Sequence, residues 1–164
     1  MNEVLVWTET PTPLGPMIVA AEGEGLSGAW FPGQRHFAGV GARWRRDDRE
    51  PLLRTAADQL DAYFAGRLTR FDLPLAPRGT VFQRAVWRAI AEVGYGATCR
   101  YGEVAAALGR PSASRAVGAA TGRNPLGIIV PCHRLVGIGG ALTGYAGGIA
   151  RKRALLAMEA SRRP

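Results

Sequence analysis

The stretch Ile129-Val130-Pro131-Cys132-His133-Arg134-Leu135 constrains this chain more than any other. It is an apolar run stopped by a proline, with a thiol next and two nitrogen-bearing side chains directly behind it. Proline fixes its own φ and biases Val130 toward an extended conformation, so the run is expected to be a buried, strand-like segment ending at Pro131. Cys132 then sits where the chain leaves the core. A thiol attacks as thiolate, and it loses its proton more readily beside a cation or a proton acceptor. His133 is adjacent in sequence, yet adjacent side chains usually point apart. The sequence leaves open a direct Cys–His pair and a water-bridged one with the imidazole oriented by a carboxylate from elsewhere. A free cysteine is also commonly just a small buried hydrophobe, and from this dipeptide alone both readings stand.

Composition narrows the setting. A chain of 164 residues makes one ordinary domain or two small ones, and 47% hydrophobic residues exclude a disordered polymer. No apolar run approaches the ~18 residues of a membrane span, and Met1-Asn2-Glu3-Val4 lacks the basic start and apolar core of a secretory leader. Cys99 and Cys132 are the only cysteines, so no disulfide framework is expected, nor a zinc site in the first half. The expectation is a cytoplasmic protein with no membrane partner. The net charge of +8 is unevenly placed: residues 1–78 carry −1 and residues 79–164 carry +9. A basic half beside a neutral one points to a polyanion partner, most simply nucleic acid.

Turn chemistry at residues 11–16 and 22–25 separates three short segments, Val4 to Thr8, Met17 to Ala21 and Leu26 to Phe31, which read as a β-meander. Arg45 to Glu50 reads as a solvated loop, and His36 has no metal-ligand spacing around it. Leu53, Ala56, Ala57, Leu60, Tyr63 and Phe64 repeat at helical spacing, predicting a helix from Pro51 to Arg67. Leu73 to Gly79 reads as a linker. The domain division expected is 1–75 and 76–164.

The second half predicts short helices. Thr80 with Gln83 is a capping-box pattern opening a helix that buries Phe82, Val86, Trp87 and Ile90. Tyr101 to Leu108 and Ala113 to Thr121, the latter capped by Ser112, form a helix-turn-helix. Ala113, Ala116, Gly118, Ala119 and Ala120 leave its second helix nearly bare, whereas a major-groove reader carries Arg, Asn or Gln aimed at base edges. Small residues suit close approach to the minor groove or, equally on composition, tight packing inside the protein. Arg115 favours the former, as a lone long cation able to fill a vacancy in the base stack. The run from Gly137 to Gly148 matches no phosphate loop and reads as a flexible active-site loop with Tyr145 its one large side chain. A last helix, Ile149 to Ala160, is expected to pack Leu155, Leu156 and Met158 and to leave Arg151-Lys152-Arg153 in solvent.

The segment Arg123-Asn124-Pro125-Leu126-Gly127-Ile128-Ile129-Val130-Pro131-Cys132-His133-Arg134 resembles the active-site signature of the O6-alkylguanine-DNA alkyltransferases, bacterial constitutive type. The match extends to Tyr101 and Arg115 upstream and to Tyr145, Gly147 and Glu159 downstream, about the last half of the chain. The resemblance implies an α/β (α+β) protein: a ribonuclease-H-like meander-plus-helix scaffold, then a winged-helix-like domain with a helix-turn-helix. It makes Cys132 the alkyl acceptor, His133 and Glu159 a water-linked relay activating it, and Asn124 the pin of the preceding turn. Arg115 is the intercalating residue, and Tyr101 assists extrusion of the nucleotide and contacts the base. Tyr145 and the Ala146 amide polarise the departing O6, and the Leu135 carbonyl accepts from the guanine amino group. Ala116, Ala119, Arg123 and Gly147 complete the expected DNA- and base-binding set. Leu135 stands where many relatives have valine, and Ala146 where some have serine, which removes a hydroxyl contact but keeps a backbone donor.

The reaction implied moves an alkyl group from guanine O6, with thymine O4 as a second candidate substrate, to Cys132 in one irreversible turnover. No cofactor is expected. The partner is duplex DNA met through its minor groove, and the protein a monomer. Two rivals use the same features: a helix-turn-helix regulator, which would show a preferred sequence, and a cysteine hydrolase, which would turn over without DNA. A third, a lesion sensor of alkyltransferase-like type, would lack the nucleophile that Cys132 supplies.

Overall fold

The computed structural model describes residues 4–162; Met1-Asn2-Glu3, considered above for a leader, and the last two residues lie outside that range. The chain folds as two compact units, Met1–Arg78 and Gly79–Pro164.

In the first unit, β1 (Val6–Thr10), β2 (Met17–Glu22) and β3 (Gly25–Trp30) form the expected antiparallel meander. A fourth strand, β4 (Arg45–Arg46), adds to it in parallel with β1, giving the order β3-β2-β1-β4. The charged run expected to be a free loop is thus the sheet's edge, where exposed arginines suit a strand that must not recruit another chain. Helix α1 (Pro51–Phe64) is capped by Glu50 and buries Leu53, Ala56, Leu60 and Tyr63. These meet a sheet whose β2 is buried on both faces, from Met17 to Ala21. Gly28 has a local reason: a Cβ there would overlap the Trp30 indole, whose ring stacks on Phe37 with centroids 4.5 Å apart.

The expected linker is partly bound into this unit. Leu26 N donates to Pro74 O at 2.8 Å and Ala76 N to Leu26 O at 2.7 Å, so the segment lies along β3. Unpaired backbone groups on the flank of β3 make that pairing favourable, and the first compact unit runs on to Arg78.

The second unit is built on α2 (Val81–Ala91), α3 (Tyr101–Ala107), α4 (Ser114–Gly122) and α5 (Ile149–Ser161). The Thr80–Gln83 capping box forms in both directions. Trp87 of α2 donates its indole N–H to Ala120 O of α4 at 2.8 Å, locking the helix-turn-helix to the rest. The Ser112 cap does not form; α4 begins at Ser114 with no side-chain cap. A parallel pair of two-residue strands, β5 (Cys99–Arg100) and β6 (Leu135–Val136), sets the site, since Cys99 lies opposite Leu135. Tyr101 follows β5 directly and Cys132 to Arg134 lead directly into β6, so one small pairing brings the helix-turn-helix to the thiol. Among the described residues no helix is long and apolar enough to cross a membrane.

Candidate active site

The apolar run before Cys132 is buried but is not a strand. It is a chain of tight turns: Ile129 N donates to Gly127 O, Val130 N to Leu126 O, and Cys132 N to Val130 O, each at 2.8 Å. Ile128 takes φ 69°, a conformation that β-branched residues avoid. Asn124 holds it. Its Oδ1 accepts from Leu126 N at 2.9 Å, while Nδ2 donates to Val130 O at 2.9 Å and to Leu126 O at 3.4 Å. One side-chain amide thus replaces the ladder partners a strand would have had. Pro131 then leads into a 3-10 turn over Cys132–Arg134, all three of whose residues are buried.

Cys132 retains 6% exposure. Burial pushes its thiol above the ordinary range; the Asn124 amide, the Lys152 ammonium and the backbone amides of Cys132 and His133 pull the other way. His133 is fully buried, with Nε2 2.8 Å from Glu159 Oε2. Burial lowers its pKa, and the facing carboxylate opposes that shift. The ring is therefore neutral near pH 7, with its proton on Nε2 toward the carboxylate and Nδ1 left as the basic nitrogen.

Glu159 is 1% exposed and serves more than the histidine. Arg134 donates to it through Nε at 2.8 Å and Nη2 at 3.0 Å, and the Gly96 amide lies 3.4 Å from Oε1. Arg134 also donates to Val93 O and lies over the Tyr95 ring. Two adjacent residues of the 3-10 turn thus share one carboxylate from α5.

Lys152, expected in solvent, is 0% exposed. Its Nζ donates to Leu135 O and, at 3.3 Å, to Thr143 O, and it acts electrostatically on Cys132. Burial lowers its pKa and the nearby sulfur raises it. The Leu135 carbonyl, expected to receive the guanine amino group, already accepts this bond and keeps a second lone pair.

The two tyrosines lie within electrostatic range of Cys132. Burial raises both phenols, Tyr145 well above its ordinary value, so both stay protonated donors at neutral pH. Tyr101 OH and Thr143 Oγ1 are 2.8 Å apart. Ala146 is half-buried and Gly147 buried; the Gly147 carbonyl accepts from Arg151 Nη1 at 2.9 Å, so this second of the three basic residues is also engaged. On α4, Val117, Ala120 and Thr121 pack inward, whereas Arg115, Ala116 and Ala119, with Arg123 just beyond, are exposed. The bare helix is both things at once: packed on one side and open on the other.

The site therefore joins Asn124, Cys132, His133, Leu135, Tyr101, Tyr145 and Glu159, with Arg115, Ala116, Ala119 and Arg123 on an outer face of the same unit. Arg134 and Lys152 were outside the expected site set. For Arg134 the signal was present in its place beside His133, and for Lys152 in its i, i+3, i+7 spacing with Leu155 and Glu159. Among the described residues no group of three or more His, Cys, Asp or Glu could hold a metal ion.

A sheet-and-helix unit joined in one chain to a helix-turn-helix unit that holds a buried thiol, followed in sequence by a carboxylate-paired histidine, fits a class of DNA-directed cysteine transferases. Residues 81–161 match the family model described as 6-O-methylguanine DNA methyltransferase, DNA binding domain, and residues 5–77 match its ribonuclease-like domain. The methylated-DNA–protein-cysteine methyltransferase of Methanosarcina acetivorans is 49% identical over 150 residues, 92% of this chain and 95% of that protein. The Mycobacterium tuberculosis O6-methylguanine methyltransferase structure superposes with TM-score 0.88 at 47% identity, covering 98% of this chain and 96% of that one. A structure titled M. tuberculosis OGT in complex with DNA gives TM-score 0.89 at 47% identity, covering 97% and 95%. The chain belongs to the methylated-DNA–protein-cysteine methyltransferase family.

Proposed function

We propose that this protein repairs DNA by direct reversal, moving the alkyl group of an O6-alkylguanine to Cys132 in a single turnover. The observation that carries this is the setting of Cys132: the residue after it, His133, is a buried neutral imidazole backed by the Glu159 carboxylate, and a buried cation and two phenols lie within electrostatic range of the thiol. The thiol proton passes to His133 Nδ1 through a bridging water, and Glu159 stabilises the imidazolium. Cys132 Sγ then bonds the alkyl carbon as the carbon–O6 bond breaks. The purine takes up one proton and leaves as guanine, while the sulfur ends as a thioether. Tyr145 and the Ala146 amide donate toward O6 as charge grows there. No group nearby can break a thioether, so each molecule acts once.

The lesion lies inside the duplex, so the nucleotide must be extruded. Arg115 enters the stack in its place, Tyr101 crowds the target nucleotide, and Ala116, Ala119 and Arg123 seat α4 on the minor groove. Gly147 leaves room for the base, and the Leu135 carbonyl takes its amino group on the remaining lone pair. Residues 1–75 act as scaffold and 76–164 carry binding and transfer. One thiol is spent per lesion, and the active form is read as a monomer working in the cytoplasm.

Mass spectrometry after incubation with a duplex containing O6-methylguanine tests this. One methyl group is expected on the peptide carrying Cys132, and none on C132A. Continued product formation beyond one equivalent, or methylation at Cys99 instead, would overturn it.

A further inference from the structure

We infer that Thr143 is a positioning residue that holds the Tyr101 phenol in the pose that meets the extruded nucleotide. This rests on the transfer reaction proposed above. The Thr143 and Tyr101 hydroxyls are 2.8 Å apart, joining α3 to the glycine-rich loop. Tyr101 has no second hydroxyl partner among the hydrogen bonds of the described residues. Its ring lies alongside α4, where a Cβ placed on Gly118 would stand 3.8 Å from Tyr101 Cδ1, a contact on the ring body and not at the hydroxyl. The far end of the phenol is therefore set by Thr143.

Thr143 is itself fixed, despite lying in a run of glycines. Its carbonyl accepts from the buried Lys152 at 3.3 Å. Its methyl packs so closely over Gly137 that a Cβ there would come within 3.0 Å of it. The loop closes on itself below through Gly137 N to Ala141 O at 2.8 Å. Thr143 is exposed, but its β-branched side chain has few χ1 rotamers and its methyl meets Gly137, which favours one place for the hydroxyl. Serine could occupy the same place with more freedom, and valine would keep the shape while losing the bond.

The test uses the whole protein and an O6-methylguanine duplex under single-turnover conditions, separating maximal rate from half-saturating DNA concentration. T143V is expected to cut the maximal rate about threefold to tenfold, the worth of one neutral hydrogen bond, with half-saturation and melting midpoint little changed. T143S is expected to recover most of that loss. Y101F should match T143V, and the double variant should be no slower than either, because both delete one interaction. A wild-type rate for T143V, equal slowing by T143S and T143V, or multiplied losses in the double variant would each overturn the assignment. Failure of the unaltered protein to methylate Cys132 would sink the reaction itself and be seen before any variant is compared.

Discussion

His133 and Arg134, neighbours in sequence, converge on one carboxylate: Glu159 lies 2.8 Å from each, with all three side chains nearly or wholly buried. In the reaction proposed above, the arginine supplies the charge balance and the histidine the proton chemistry. Breaking such a buried set by removing one member leaves an uncompensated charge.

Glu159→Gln should therefore destabilise the protein by about 3–5 kcal/mol, because Arg134 keeps its charge and loses its counter-ion. The same change should slow methyl transfer about 100-fold or more, since the general base loses its orienting partner. Urea unfolding and single-turnover transfer measure the two effects separately. A variant as stable as the parent would mean the cluster is not charged as described.

Stability should fall on mild acidification, with a sign fixed by His133. Its folded pKa lies below the ordinary 6.5 because burial disfavours the imidazolium. The unfolded chain thus binds more protons just below pH 6.5, so stability is full above that value and is lost as pH falls toward the folded pKa. Over that window this one group contributes a slope of up to about 1.4 kcal/mol per pH unit. Unfolding free energies of the parent and of His133→Gln across the range should differ by that slope.

The Lys152 ammonium favours the Cys132 thiolate. Lys152→Met, similar in volume and uncharged, should raise the thiol pKa, and each unit of rise removes about tenfold of the thiolate near neutrality. The rate of Cys132 modification by iodoacetamide against pH reads that shift directly. An unmoved profile would remove Lys152 from the chemistry.

Asn124→Ala should cost about 1–3 kcal/mol, by leaving the buried Leu126 amide without its partner, while the Val130 carbonyl keeps its bond from Cys132 N. The turn it holds includes Ile128 at φ 69°, but that side chain is fully buried, so Ile128→Gly should destabilise as well, the lost packing outweighing the relieved strain. A shifted urea midpoint with unchanged slope is the expected result for both.

Much of this was legible in the sequence, for reasons that differ by residue. The meander, α1, α2 and the helix-turn-helix followed from periodicity and from the Thr80–Gln83 box, because local chemistry alone fixes them. The run before Cys132 misled. Its apolar character correctly signalled burial, but a strand was inferred where a single Asn124 amide closes a set of turns. Lys152 misled in the opposite sense: flanked by two arginines it reads as surface charge. Its burial follows from carbonyls at Leu135 and Thr143, partners that spacing along one helix does not reveal. Arg45-Arg46 became an edge strand because β1 offered it a partner, which is likewise a tertiary fact.

Of the nine residues of α4, Arg115, Ala116 and Ala119 are the exposed ones, with Arg123 beside them. Two guanidiniums and two methyl groups can grip a sugar-phosphate chain anywhere along its length, but they carry no lexicon. On the role proposed for α4, a protein that lands this way travels with equal ease over any stretch of the genome. What would halt it is mechanical, a nucleotide so weakly held by its neighbours that it yields its place to a passing arginine.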